Sequence, residues 1–393
     1  MLYFISMKFI DEVEISNKKI IVRVDFNVPL NPDKTIANDE RIKDSCPTLS
    51  YLLARNNQLI LISHLGRPKT RDQAFSLKPA ADKLQQYLSE YKIKLIDDFT
   101  NPNTPISPSN NEILMLENIR FYEGENKNDP EFIKQLASLG DIFVNDAFAV
   151  CHRDTASITG ITKSLPSYAG LLIKKEINML DKIIKNPKKP VVAIIAGNKI
   201  STKVGLIEHF CHLADSILLG GGLANTLLAS LGHQIGKSLI ESDTYEIAKK
   251  LLDQTKTKNM SLVLPTDSVM RSTEIKPITN IGPEDEIMDI GPKTCQQFAQ
   301  IIATAKTIIW NGPVGVFEDP RFSKGSDAIY EAIIANPEAI SIIGGGDTIS
   351  AITGKPGIEK ITHISTAGGA MLEFIEKNGH LPGLDALDTQ ITH

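Results

Sequence analysis

Ser341-Ile342-Ile343-Gly344-Gly345-Gly346-Asp347-Thr348 reads as a short buried strand that runs into three glycines, with Asp and Thr opening a helix over Thr348-Ile349-Ser350-Ala351-Ile352. Glycine lets the backbone close on a ligand, and a helix N-terminus offers unpaired N–H groups to an anion. A carboxylate beside that anion is electrostatically wrong unless a cation lies between them. The stretch therefore suggests a metal-bound phosphate with Asp347 toward the metal. The alternative is a tight βα turn in which Asp347 only caps the helix.

The same pattern recurs outward along the chain. Short runs rich in Ile, Val and Leu lie at Ile20–Val24, Leu59–Ile62, Lys92–Ile96, Ile113–Leu116, Ile142–Asn145, Val191–Ile195, Ser216–Leu219, Ser261–Leu264, Thr307–Trp310, Ile340–Ile343 and Ile361–Ile364. Amphipathic stretches separate them, which predicts parallel sheets covered on both faces. Eleven strands are many for one open sheet, and the segment from Leu165 to Lys189 divides them. Leu172, Ile173, Ile177, Leu180 and Ile184 keep helical spacing until Asn186-Pro187 stops them, predicting a helix that joins two α/β domains. A surface helix within one domain is the other reading. The expected fold is α/β, two doubly wound, Rossmann-like parallel-sheet domains joined by a hinge helix. The expected boundaries are 1–170, then 171–370 with the joining helix at 171–186, then a tail at 371–393.

A chain of 393 residues has room for two domains. A net charge of -5 with 23% charged residues gives no reason to expect a nucleic-acid or membrane-surface role. Cys46, Cys151, Cys211 and Cys295 form no CxxC pair, which speaks against a disulfide framework or thiolate zinc site and for a reducing cytoplasm. The apolar start before Lys8 is too short for a signal sequence, and Met7 is an alternative start. No apolar run approaches the ~20 residues of a membrane helix.

Ligands of open parallel sheets bind beyond the carboxyl ends of the strands, so the residues after each run carry the chemistry. In the first half these are Arg23-Val24-Asp25-Phe26-Asn27, Ser63-His64-Leu65-Gly66-Arg67, Glu117-Asn118-Ile119-Arg120 and Asn145-Asp146, leading to His152-Arg153. In the second half they are Ala196-Gly197-Asn198-Lys199, Gly220-Gly221-Gly222, Pro265-Thr266-Asp267, Asn311-Gly312-Pro313, Gly344–Thr348 and Thr366-Ala367-Gly368-Gly369. Arginine and histidine dominate the first set and suit a small, highly anionic substrate, because guanidinium pairs bidentately with carboxylate and phosphate. One such arginine is an ordinary surface ion pair; Arg23, Arg67, Arg120 and Arg153 recurring at strand ends are harder to explain that way. Glycine dominates the second set and suits nucleotide phosphates held by backbone N–H groups. The two together imply phosphoryl transfer in a closable cleft. Gly232–Ser238 imitates a Walker A loop but has Leu231 where glycine is needed, and reads as a turn. His209 and His212 sit in an apolar helical stretch and read as ordinary helix positions.

These motifs, in this order, resemble the phosphoglycerate kinase family along essentially the whole chain. The resemblance rests on Arg23–Pro29, Asp39–Lys43, Ser63–Pro68, Leu116–Phe121, the Lys199/Lys203 pair, Trp310–Glu318, Gly344–Thr348 and Ser365–Gly369. It implies an N-terminal domain for 3-phosphoglycerate or 1,3-bisphosphoglycerate, a C-terminal domain for magnesium ADP or ATP, and a tail returning to the N-terminal domain. By resemblance, Asp25 and Asn27 hold the glycerate hydroxyl and carboxyl end, with Phe26, Leu65 and Gly66 in the same substrate motifs. Arg41, His64, Arg67, Arg120, His152 and Arg153 grip phosphate and carboxylate, and Arg41 is also the catalytic arginine. Lys199 and Lys203 meet the nucleotide phosphates and the moving phosphoryl group, and their i, i+4 spacing is read as a helix start. Gly221, Asn311 and Pro313 belong to the nucleotide pocket, Glu318 accepts the ribose hydroxyls, Asp347 is the Mg²⁺ ligand, and Gly345, Gly346 and Thr348 contact phosphate. The resemblance further implies a cytoplasmic monomer.

The acceptor in the ATP-consuming direction is a carboxylate, already ionised near neutral pH, so His64 and His152 are read as anion binders and not as bases. Three positions depart from the family pattern: Asn198 in the turn before Lys199, Ala367 where glycine is usual, and Ala149-Val150-Cys151 before His152. Two other functions stay open at this point. A dinucleotide-dependent dehydrogenase would need the clean GxGxxG that the first strand lacks, and a non-catalytic binding protein would keep the fold without turnover.

Overall fold

Neighbouring residues of the first strand serve two different cores. Ile20 and Val22 pack with Leu49, Leu52, Leu61 and Leu84, whereas Ile21 packs with Ile60, Leu114, Phe132 and Phe143. A strand whose side chains alternate between two apolar layers lies in a sheet covered on both faces. The structure, a computed structural model, describes residues 7–256 and 260–388; the expectations for residues 1–6 and for 389–393 of the tail lie outside them. The chain divides into two compact units, one running to Asn178 and resuming at His380, the other Met179–Gly379.

The first unit holds β1 (Lys19–Arg23), β2 (Gln58–Ile62), β3 (Lys92–Ile96), β4 (Glu112–Leu116), β5 (Ile142–Asn145) and β6 (Ser167–Ala169). All pair in parallel in the order β3-β4-β2-β1-β5-β6. The helices are α1 (Glu40–Leu53), α2 (Lys78–Tyr87), α3 (Glu123–Lys127) and α4 (Pro130–Ala137). Apolar residues of α1 and α2 supply one layer and those of α4 the other. The order reverses at β1, which places the ends of β1, β2 and β5 side by side at the switch point where such sheets bind ligands. β6 is absent from the sequence reading because three residues, Ser167-Tyr168-Ala169, carry no apolar run.

A single helix, α5 (Leu171–Ile184), carries the chain from one unit into the other. Its buried stripe is Ile173, Ile177, Leu180 and Ile183; Leu172 and Ile184 of the expected stripe are only half-buried. The second unit holds β7 (Val191–Ala196), β8 (Ser216–Gly220) and β9 (Ser261–Val263), then β10 (Asp267–Met270), β11 (Ile275–Pro277) and β12 (Ile287–Ile290). β13 (Thr307–Asn311), β14 (Ile340–Gly344) and β15 (His363–Ser365) complete it. Six of these strands form a parallel sheet ordered β15-β14-β13-β7-β8-β9. β11-β10-β12 form a small antiparallel sheet that the sequence reading missed, since Asp267-Ser268-Val269-Met270 has no continuous apolar run. The last strand begins at His363, not Ile361, because a 3₁₀ turn over Ile358–Lys360 delays it.

The second unit's helices are α6 (Val204–Leu213), α7 (Gly221–Ser230), α8 (Tyr245–Lys256), α9 (Pro292–Thr304), α10 (Lys324–Ile334), α11 (Gly346–Ile352) and α12 (Gly369–Glu376). α13 (Pro382–Asp388) belongs to the first unit, where Gly383 N–H donates to the Cys151 carbonyl at 2.8 Å. Gly232 takes φ 90° just after α7, as expected of a turn. No helix among the described residues is long and apolar enough to cross a membrane.

Candidate active site

At the switch point of the first unit, Asp25 is buried just beyond β1, 4% exposed. Burial alone would raise its pKa, but Arg41, His64 and Arg23 together with the Asn27 N–H outweigh it and hold the carboxyl below its usual value. Arg41, second residue of α1, donates from Nη1 to Asp25 Oδ2. The Asn27 N–H donates to Asp25 Oδ1 at 3.2 Å, and Asn27 Oδ1 accepts from Gly66 N–H at 2.8 Å. The Gly66 carbonyl in turn accepts from Arg120 Nη1 at 2.7 Å. Asp25, Asn27, Arg41, Gly66 and Arg120 thus form one connected rim across the ends of β1, β2 and β4, with His64 Nδ1 3.7 Å from Asp25 Oδ1.

The other expected residues differ in station. Phe26 and Leu65 are core residues whose backbones do the positioning: Phe26 N–H donates to Ser63 Oγ at 2.8 Å, and the Leu65 carbonyl accepts from Asn118 Nδ2 at 2.7 Å. Arg153 is exposed and close enough to Arg120 for its charge to be felt there. Burial, then the Arg23 charge, lowers the Arg120 guanidinium to about 10, against the opposing pull of Glu125 and Asp25. Arg67 is exposed beside Gly66, and His152 is half-buried in the turn after Val150. Arg23 corrects the sequence reading. It is 2% exposed and turned into the unit, not toward solvent. Ser63 and Asn118, within the strand-end stretches singled out from the sequence, support the site through their side chains; Ser157 and Glu125 also support it, and nothing in their local sequence marks them.

In the second unit, the strand ends gather around β7 and β13. A cleft is lined by Gly197, Asn198, Lys199, Lys203, Asn311, Pro313, Gly345, Gly346, Asp347, Thr348, Gly368 and Gly369. A second cavity shares Gly197, Asn198, Pro313 and Asp347 and continues along Gly221, Gly222, Leu239, Ile287, Met288, Val316 and Glu318. A polar end next to an apolar slot is the shape a nucleoside phosphate needs. Gly312 permits the close fit: at φ 95°, a Cβ there would lie 2.0 Å from the Ala196 carbonyl. Gly345, at φ 105°, is similarly irreplaceable, because a Cβ would lie 2.6 Å from Asn311 Nδ2.

Lys203 donates from Nζ to Asn311 Oδ1, and Asn311 Nδ2 donates to the Gly344 carbonyl at 2.6 Å. Burial lowers the ammonium to about 8, against the opposing pull of Asp347. The i, i+4 reading of Lys199 and Lys203 needs correction, since α6 starts at Val204 with Lys203 at its N-cap and Lys199 in the irregular stretch between β7 and α6. They reach the same cleft by a turn, not by helical spacing. Asp347 does not cap α11: the N-cap is Gly345, with no side-chain cap, and Asp347 is exposed in the cleft. Thr348 Oγ1 accepts from Gly312 N–H at 2.7 Å, tying the two glycine turns together. Ala367 is buried and Asn198 is exposed on the cleft wall.

Comparison with known proteins bears on the whole chain. The family model for phosphoglycerate kinase matches residues 10–378. The phosphoglycerate kinase of Dictyoglomus turgidum is 42% identical over 384 residues, covering 95% of this chain and 96% of its own. A cytosolic phosphoglycerate kinase of Triticum aestivum is 42% identical over 395 residues, 98% of each chain. Among solved structures, phosphoglycerate kinase from Coxiella burnetii superposes with a TM-score of 0.85 at 37% identity, covering 97% of this chain and 98% of its own. That from Pyrococcus horikoshii OT3 gives 0.82 at 30% identity, with the same coverage.

Proposed function

The chain belongs to the phosphoglycerate kinase family, and from that premise we propose how its residues divide the reversible transfer of a phosphoryl group between 1,3-bisphosphoglycerate and ADP. The first unit takes 3-phosphoglycerate or 1,3-bisphosphoglycerate; the second takes ADP or ATP. The observation that carries this division is the split in strand-end chemistry. Connected cations around Asp25 suit a small polyanion, while glycine turns beside Lys203 and an apolar slot suit a nucleotide.

Asp25 and Asn27 orient the glycerate, and Arg41, His64, Arg67, Arg120, His152 and Arg153 supply the positive field for its phosphate and carboxylate. The acceptor carboxylate is already ionised, so the protein needs no general base. It must align donor and acceptor oxygens and neutralise the charge spread over the transferring group. Arg41, Lys199 and Lys203 do this, with Gly345, Gly346 and Thr348 at the phosphates. Gly221 and Pro313 flank the nucleoside, Asn311 belongs to the phosphate end of the same nucleotide pocket, and Glu318 accepts the ribose hydroxyls.

A magnesium ion fits the donor set. Asp347 lines both cavities, and no group of three or more His, Cys, Asp or Glu that could hold a metal occurs among the described residues. Mg²⁺ is commonly held by one or two carboxylates completed by substrate phosphates, which suits a lone Asp347. When bound, the ion neutralises phosphate charge. Transfer also requires the two ligands to meet, and bending about α5 is the motion we assign to it. A cytoplasmic monomer completes the proposal.

A coupled assay with 3-phosphoglycerate, ATP and Mg²⁺ tests it: turnover dependent on all three is expected. Intact nucleotide binding without turnover would favour a binding protein that keeps only the fold.

A further inference from the structure

Arg23 holds a buried network beneath the rim. Its Nε donates to Ser157 Oγ at 3.0 Å and its Nη1 to the Val24 carbonyl at 2.5 Å. Ser157 is itself fixed, donating from Oγ to Glu125 Oε1 at 2.7 Å and from its N–H to Oε2 at 2.9 Å. The guanidinium is therefore locked, and its remaining nitrogen, Nη2, lies 3.3 Å from His64 Nδ1.

A guanidinium can only donate. The Nη2 contact is a hydrogen bond only when Nδ1 offers its lone pair, which leaves the ring proton on Nε2. The competing partner for Nδ1 is Asp25 Oδ1, at 3.7 Å and outside hydrogen-bonding range. His64 is 2% exposed. Burial drives its pKa well below the usual value; Asp25 opposes this, and Arg23, Arg120 and Arg41 add to it. The ring is neutral at physiological pH.

We propose that Arg23 is a positioning residue: without touching substrate, it fixes His64 as the Nε2–H tautomer, a neutral donor aimed at the oxyanion the rim binds. This rests on reading the first unit as the phosphoglycerate site. It gives Arg23 a task different from those of the rim arginines. It also makes His64 a donor whose proton does not titrate through neutral pH, so its share of substrate binding is insensitive to pH there.

The full chain, labelled with ¹⁵N, supplies the test through long-range ¹H–¹⁵N spectra of the histidine rings. His64→Ala identifies the His64 signals among the eight histidines. The expected pattern is a protonated Nε2 and a bare Nδ1, unchanged between about pH 6 and about pH 8. An Nδ1–H tautomer or an imidazolium in the wild type overturns the proposal without any variant. In Arg23→Met, the pattern is expected to become a mixture and the KM for 3-phosphoglycerate to rise about tenfold, with the KM for ATP unchanged. Retention of the pure Nε2–H pattern in that variant also overturns the role of Arg23. Absence of 3-phosphoglycerate-dependent turnover in the wild type sinks the reading of the site, and with it the substrate role of His64, whichever tautomer is observed.

Discussion

Lys203 and Asn311 share a hydrogen bond in which a half-buried ammonium has a neutral carboxamide as its partner. The amide's other end is spent on the Gly344 carbonyl, so the lysine is aimed at the glycine turn without its charge being cancelled. Such a charge is held ready for a ligand at the expense of the fold.

Lys203→Met therefore separates stability from function. A lysine held near 8 when folded, against an ordinary 10.5, disfavours the folded state below about pH 8, and the penalty fades as pH rises through 10.5. Removing it is expected to raise stability near pH 7 by up to about 3 kcal/mol while turnover falls about 10²–10³-fold. Thermal melts at neutral pH and near pH 11, paired with kcat, check this. A destabilised variant would contradict it.

Asp347→Asn is expected to raise the KM for Mg-nucleotide at least tenfold and to leave 3-phosphoglycerate binding nearly intact, since Asp347 lines two cavities of the second unit. Titrating each ligand separately reads the two affinities. Equal losses would argue against the metal role.

Arg41→Ala removes the main cation facing Asp25, whose carboxyl is 4% exposed. The Asp25 pKa should climb, and stability near neutral pH should drop by about 1–2 kcal/mol. The catalytic barrier should rise by about 3–4 kcal/mol, the larger effect. Unchanged kcat would dismiss Arg41 as the catalytic arginine.

Asp146, fully buried beyond β5, accepts from Leu172 N–H at 2.9 Å. Burial pushes it up to about 8 against the Thr48 hydroxyl and two backbone N–H groups. The unfolded chain loses this proton near the ordinary carboxylate value and the folded one near 8, so this group erodes stability as pH rises between them. Asp146→Asn should flatten that decline, giving a higher melting temperature than wild type at pH 8 and a matching one near pH 4. Parallel curves would refute it.

Much of this was legible in the sequence because it is local. A run such as Val191–Ala196 announces a doubly covered strand, and the residues that follow fall at the ligand-binding edge by topology alone. What escaped depended on distant partners. Arg23 looks like any strand-end arginine until Ser157 and Glu125, far along the chain, turn it inward. Lys199 and Lys203 have helical spacing, yet the turn after Gly197 postpones α6 beyond both. Asp347 has the composition of a cap, but the positive φ of Gly345 gives that post to the glycine. β10 to β12 pair with one another over intervening turns, and none has an apolar run to betray it.

The placement of α13 bears on synthesis. The second unit is one uninterrupted stretch, whereas the first resumes only at His380. In chain order every residue of the second unit precedes Leu384 and Leu387, both fully buried in the first, and the Gly383 N–H that meets the Cys151 carbonyl. Domains usually complete in the order they emerge. Here the half that begins first along the chain is the half whose core is completed last.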